Sequence, residues 1–191
     1  LKHPKTPETK YPISELITKR WSARSFADNT IAEETVEHLF EATSWTASSM
    51  NEQPWKYIYA HKGTAGFEKM ASCLMGGNKV WAENGAVLML ALAKKKFSNG
   101  NVNRHAMHDV GAANTTLLLE AAALDIYGHM MGGFHFKETL EAFEIDSEEW
   151  EPACFIVIGY LDSPEKLEEP FKSREIAPRS RKSVSEITEQ L

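Results

Sequence analysis

Two short polar segments of this 191-residue chain combine residue types that can hold an anion or a planar polar ligand. In Arg20-Trp21-Ser22-Ala23-Arg24, two guanidinium groups and a hydroxyl alternate, so an extended backbone would put three donors on one side. Guanidinium forks match phosphate oxygens and ring carbonyls in geometry as well as charge. The same residues also suit a solvated helix C-terminus, where basic side chains favour the helix dipole, so alone they decide little. The second segment, Ser48-Ser49-Met50-Asn51-Glu52-Gln53-Pro54-Trp55, gathers small polar side chains just before a strand. It offers several hydrogen bonds in one loop, and it is equally good turn chemistry. A third group, His105, His108 and Asp109, falls at i, i+3 and i+4 on one helix face. No fourth ligand and no second cluster accompany it, so no metal is expected. Helix-end hydrogen bonds, or a place at the mouth of a cleft, are the better roles for these three.

Hydrophobic periodicity shows what must position these residues. Helices are expected over residues 13–20 and about 33–43, the second with Thr30 and Glu33 as a capping box and an apolar stripe of Val36, Leu39 and Phe40. Residues 55–60 read as a strand rich in aromatic and β-branched side chains. Residues 86–93 and 154–160 are continuously apolar, as in strands covered on both faces. Between them, residues 104–126 form a long apolar helix in which Gly111, Ala112 and Ala113 would admit another backbone, with Gly128 as a stop. Residues 137–143 give a shorter amphipathic helix. From residue 161 the chain turns charged, acidic over 162–169 and basic over 172–182, with Ile176, Val184 and Ile187 as its remaining apolar anchors. This order predicts a single α+β domain over residues 1–191, a layered α/β/α arrangement whose central mixed sheet is flanked by helices.

Composition sets outer bounds. Hydrophobic residues make up 42% and charged residues 25%, a balance that suits a folded core. A net charge of −6 argues against a general nucleic-acid binder. The apolar run 86–93 ends at Lys94-Lys95-Lys96, too short to span a bilayer, and the polar opening residues do not read as a secretory leader. The two cysteines, Cys73 and Cys154, stand far apart, as buried thiols in a reducing compartment would. A cytoplasmic protein without membrane partners is the expectation.

Taken in order, the polar segments resemble the flavin-dependent nitroreductase family. That family opens with an Arg-x-Ser-x-Arg/Lys segment, then an amphipathic helix, then a Pro-Ser-Ser-x-Asn-x-Gln-Pro-Trp-like loop. Here residues 20–24 and 46–55 match, with Ala47 where the family often has proline. Gly77-Asn78 resembles the family's flavin-contacting asparagine. Met131-Gly132-Gly133-Phe134 resembles its glycine-containing turn beside the ring. Arg179-Ser180-Arg181-Lys182 resembles its C-terminal basic pair, with Ser183 and Val184 where proline usually follows. The resemblance covers roughly residues 12–188.

It implies bound FMN, with a phosphate cradle of Arg20, Ser22, Arg179 and Arg181. Arg24 and Asn78 would lie at the polar edge of the ring, and Gly132 and Gly133 beside it. Ser48, Ser49 and Asn51 would come from the second subunit of a homodimer, with residues 161–191 as an extended tail crossing to the partner. No protein side chain would be catalytic, because the flavin N5 carries the hydride. NAD(P)H would be the donor, and a nitroaromatic, quinone or enone the acceptor, in a ping-pong cycle. A flavin-binding storage or sensing protein would need the same cradle and stays open as the alternative.

Overall fold

Residues 86–93 and 154–160 are apolar at every position because their strands lie at the centre of a sheet covered on both faces. The computed structural model describes residues 5–191, and residues 1–4 of the polar opening lie outside the described residues. The sheet has four strands: β1 (Trp55–His61), β2 (Val87–Lys94), β3 (Tyr127–Met131) and β4 (Trp150–Gly159), in the order β1-β2-β4-β3. Every pairing is antiparallel, where the sequence reading expected a mixed sheet. The layered α+β arrangement stands.

One face of the sheet, with Leu88, Leu90, Leu92, Phe155 and Val157, packs on α3 (Ala65–Ser72) and α4 (Gly76–Ala82) through Phe67, Met70 and Trp81. The opposite face, with Val87, Met89, Ile156 and Ile158, packs on α2 (Glu33–Ser44) and α5 (Ala106–Ala123). Each fully buried side chain of this size contributes roughly 1.5–3 kcal/mol. α2 buries Val36 and Leu39, as its stripe predicts. Its N-cap is Ala32 without a side-chain bond, so the expected Thr30 capping box does not form. Glu33 instead accepts from Tyr59 Oη and pairs with His61 Nε2 on β1. Two partners on the neighbouring strand satisfy the carboxylate better than one helix-end amide.

Three elements before the tail were not foreseen. α3 is a plain amphipathic turn pair. α4 carries Gly76, Gly77 and Asn78, poor helix formers that only packing holds in place. β3 is five residues long and includes Gly128, which sequence reads as a stop. A Cβ there would lie 2.4 Å from Leu118 Cδ2 and 3.0 Å from the Val157 carbonyl oxygen, so the glycine lets an edge strand lie tight against α5.

The charged tail is more ordered than its composition implies. α6 (Phe136–Ala142) lies where the shorter amphipathic helix is expected, and after a 3-10 turn at Pro164–Lys166 come α7 (Phe171–Ile176) and α8 (Val184–Ile187). Acidic and basic stretches pair within the tail, Lys166 with Asp162 and Lys172 with Glu165. Leu161, Leu167 and Phe171 pack on the first core face. Ile176, Val184 and Ile187 do not anchor it, for all three are exposed. No helix among the described residues is long and apolar enough to cross a membrane.

Candidate functional site

α1 (Glu15–Lys19) ends where Arg20 turns extended, with φ −63° and ψ 129°. Trp21 and Ala23 then enter the core, so Ser22 stays exposed and Arg24 half-buried between them and solvent. The tail returns to this segment. Arg179 donates through Nη2 to Thr18 O at 2.7 Å and through Nη1 to Arg20 O. This brings together three guanidinium groups, those of Arg20, Arg179 and Arg181. Burial lowers the proton affinity of Arg20 and Arg179 first, and their guanidinium neighbours lower it further. Among the described residues none of the three has a carboxylate partner. A cluster of like charges, two of its members partly buried, without counter-charge is suited to an anion.

Beside this cluster stands a polar and aromatic wall. The Arg24 guanidinium lies 5.6 Å from the Trp81 ring centroid, and Trp81 packs on His129 with centroids 4.6 Å apart. His129 Nδ1–H donates to Ala23 O at 3.1 Å. Burial, and secondly Arg24, push this imidazole down to about 4, so it is neutral at pH 7. One helical turn before Trp81, Asn78 Nδ2 donates to Gly133 O at 3.0 Å. Met75 N–H donates to the same carbonyl, and His135 N–H to Cys73 O, so the Gly132-Gly133 turn is tied to the start of α4. A Cβ on Gly133 would meet Asn78 Nδ2 at 2.8 Å. Glycine is what lets the backbone and that amide share the space. The structure thus brings Arg20, Arg179 and Arg181 together, keeps Ser22 and Arg24 on the same extended segment, and ties Asn78 to Gly133, next to Gly132, with Trp81 linking that pair to Arg24.

Ser48, Ser49 and Asn51 do not join them. Their loop turns sharply before β1, with Met50, Asn51 and Gln53 at positive φ. Ser48 Oγ accepts from Gln53 N–H at 3.0 Å, and Ser49 N–H donates to Asp109 Oδ2 at 3.0 Å. Asp109 is buried at the start of α5, with its other oxygen 3.0 Å from His108 Nδ1. Asp109 thus ties the loop to α5, and no trio of His, Cys, Asp or Glu among the described residues gathers to hold a metal. Trp55 sits in the Ala93–Glu151 row of the sheet, at the β1 edge, while His129 on the β3 edge pairs with Val157. Three strand spacings and six residues of β4 separate those corners, roughly 25 Å by ordinary strand geometry.

Sequence reasoning did not single out Trp81, His129, Glu175 or Lys5. Trp81 was visible as an aromatic near Asn78. His129 lay in a strand that was not foreseen. Glu175 and Lys5 are charged residues in polar stretches, and only the chain's path shows them buried.

A model of the nitroreductase family matches residues 17–160. A protein of Archaeoglobus fulgidus, provisionally named as an NADH dehydrogenase/NAD(P)H nitroreductase, is 27% identical over 128 residues, covering 67% of this chain and 71% of its own. A crystal structure of an oxidoreductase containing FMN superposes with a TM-score of 0.92 at 26% identity, over 100% of this chain and 97% of that one. A nitroreductase family protein of Streptococcus pneumoniae shares the fold with a TM-score of 0.73 at 21% identity, over 93% and 98% of the two chains. With the family model covering the sheet, both helical layers and the Arg20–Arg24 segment, the chain belongs to the nitroreductase family.

Proposed function

We propose that the chain is one protomer of a homodimeric FMN-dependent oxidoreductase that uses NAD(P)H to reduce a small acceptor such as a nitroaromatic, a quinone or an enone. The observation that carries this reading is the guanidinium cluster of Arg20, Arg179 and Arg181, without a carboxylate partner among the described residues, beside the wall of Arg24, Asn78 and Gly133 that the buried Trp81 backs. A phosphate dianion relieves the mutual repulsion of the cluster and takes charge-assisted hydrogen bonds from it. Ser22, exposed between Arg20 and Arg24, adds a hydroxyl. Asn78 commits its Nδ2 to Gly133 O, and its Oδ1 has no partner among the described residues, which suits a ring imide N–H. Arg24 at the polar edge of a flavin favours the anionic reduced form and raises its reduction potential. FMN, when bound, supplies the hydride chemistry that none of these side chains can perform.

A ligand packed on this wall leaves one face open, so nicotinamide and acceptor would occupy it in turn. The loop of Ser48, Ser49 and Asn51 lies too far away to reach that face within its own chain, and in this reading the partner's copy completes the site. Trp45 (82% exposed) and Met50 (79%) near that loop, with Met107 and the open Gly111 on α5, form the apolar surface a partner would cover. Residues 161–181 stay with their own chain through the core contacts and the Arg20, Arg179 and Arg181 cluster, so in this reading the crossing part of the tail is residues 182–191, all of them exposed.

The test is direct. The purified protein should be yellow and dimeric in sedimentation, and denaturation should release FMN without a covalent link. NADH or NADPH should bleach it, and double-reciprocal plots against acceptor should be parallel. Released FAD, or a protein that takes up no flavin, would overturn the reading. A bound flavin that neither nicotinamide reduces would favour storage or sensing.

A further inference from the structure

The tail carries one buried charge that the phosphate cradle does not use. Glu175, at 4% exposure, sits near the end of α7. Its Oε1 accepts from two successive backbone amides, Arg24 N–H at 2.9 Å and Ser25 N–H at 3.0 Å. Its Oε2 is buried without a hydrogen bond among the described residues and lies 3.9 Å from Arg24 Nη1. The turn that presents Glu175 is itself held from the other end of the chain. Lys5 Nζ donates to Arg174 O at 2.8 Å and Ala177 O at 2.6 Å, on either side of the carboxylate. Ser25 Oγ adds a further tie, donating to Ser163 O at 2.6 Å.

We propose that Glu175 is a positioning residue of the flavin site, fixing the Arg24–Ser25 backbone through its two amides and balancing the Arg24 charge that faces the ring. This rests on the FMN reading above. A carboxylate buried solely as a peg would be satisfied by hydrogen bonds on both oxygens. Here one oxygen makes the backbone bonds, and the other faces a guanidinium that stacks on Trp81 and is only partly exposed. A full salt bridge would draw Arg24 away from the cleft. A 3.9 Å ion pair leaves its N–H donors for another acceptor while reducing its net field.

Two substitutions separate the parts. In Glu175→Gln the amide oxygen can keep both backbone bonds, but the counter-charge is gone and an NH2 faces the guanidinium. The net field at the ring becomes more positive, so the midpoint potential of bound FMN should rise while FMN affinity stays within a few-fold. Glu175→Ala also removes the peg, and FMN should dissociate about tenfold more readily, the scale of one lost charge-assisted hydrogen bond. Potentials are read by dye equilibration and affinities by flavin fluorescence on the full chain. If Glu175→Ala fails to fold, the potential of Glu175→Gln decides the matter. A Glu175→Gln protein with unchanged or lowered potential overturns this inference alone. A wild-type protein that takes up no FMN overturns the cofactor reading, and this inference with it.

Discussion

Truncating Arg20 to alanine should move the ligand-free protein and the FMN complex in opposite directions. In the ligand-free chain the Arg20 guanidinium is half-buried beside Arg179 and Arg181 and has no carboxylate partner among the described residues. Its removal relieves like-charge repulsion of about a few tenths of a kcal/mol and the desolvation of a half-buried charge, so stability should hold or rise, by at most about 1 kcal/mol or 2–4 °C for a domain of this size. The clamp from Arg179 survives, because it uses the Arg20 and Thr18 carbonyl oxygens rather than the side chain. In the complex, a lost charge-assisted hydrogen bond costs about 1.5–3 kcal/mol, which weakens FMN roughly tenfold to 150-fold. Riboflavin, which lacks the phosphate, provides the control. Fluorescence titration of apoprotein with FMN and with riboflavin, beside a thermal melt of the apoprotein, reads all three quantities. The loss should fall on FMN alone and shrink with added salt. Equal losses for both ligands, or an apoprotein that melts several degrees lower, would mean that Arg20 holds the fold rather than the phosphate.

Two further substitutions test the supporting structure. His129 is held neutral, its folded value near 4 against an unfolded value near 6.5. The unfolded chain binds the proton first as pH falls, so stability should be full above about 6.5 and decline towards 4, by at most about 3 kcal/mol. His129→Phe should flatten that part of the pH–stability curve, and an unchanged slope would show that other groups set the acid limit. Asp109→Ala removes the buried acceptor of Ser49 N–H, at a cost of about 1–3 kcal/mol, and should speed hydrogen exchange at Ser49. Wild-type exchange at that amide would show that the loop is held by its own turn geometry.

The apolar pattern was enough to place β2, β4 and α5 and to show that both faces of the sheet are covered, because a strand buried on two sides has no polar positions to disguise it. The alternation of Arg20, Ser22 and Arg24 with Trp21 and Ala23 likewise carried its own geometry, since an extended backbone fixes which residues share a side. What sequence could not supply was everything that depends on distant partners. β3 exists because Gly128 lets an edge strand approach α5, and its local signal is that of a terminator. The sheet's antiparallel sense depends on connections, and period-2 patterning is the same for either sense. The tail shows no apolar stripe because, beside Leu161, Leu167 and Phe171, hydrogen bonds donated by Lys5 and Arg179 and accepted by Glu175 hold it, and a charged residue's burial is invisible until its partner is known. The two polar segments sit adjacent in the motif yet at opposite corners of the sheet. Residue types alone left both ambiguous, their order marked them through the family resemblance, and only the strand order β1-β2-β4-β3 set them apart, by interposing two strands between their edges.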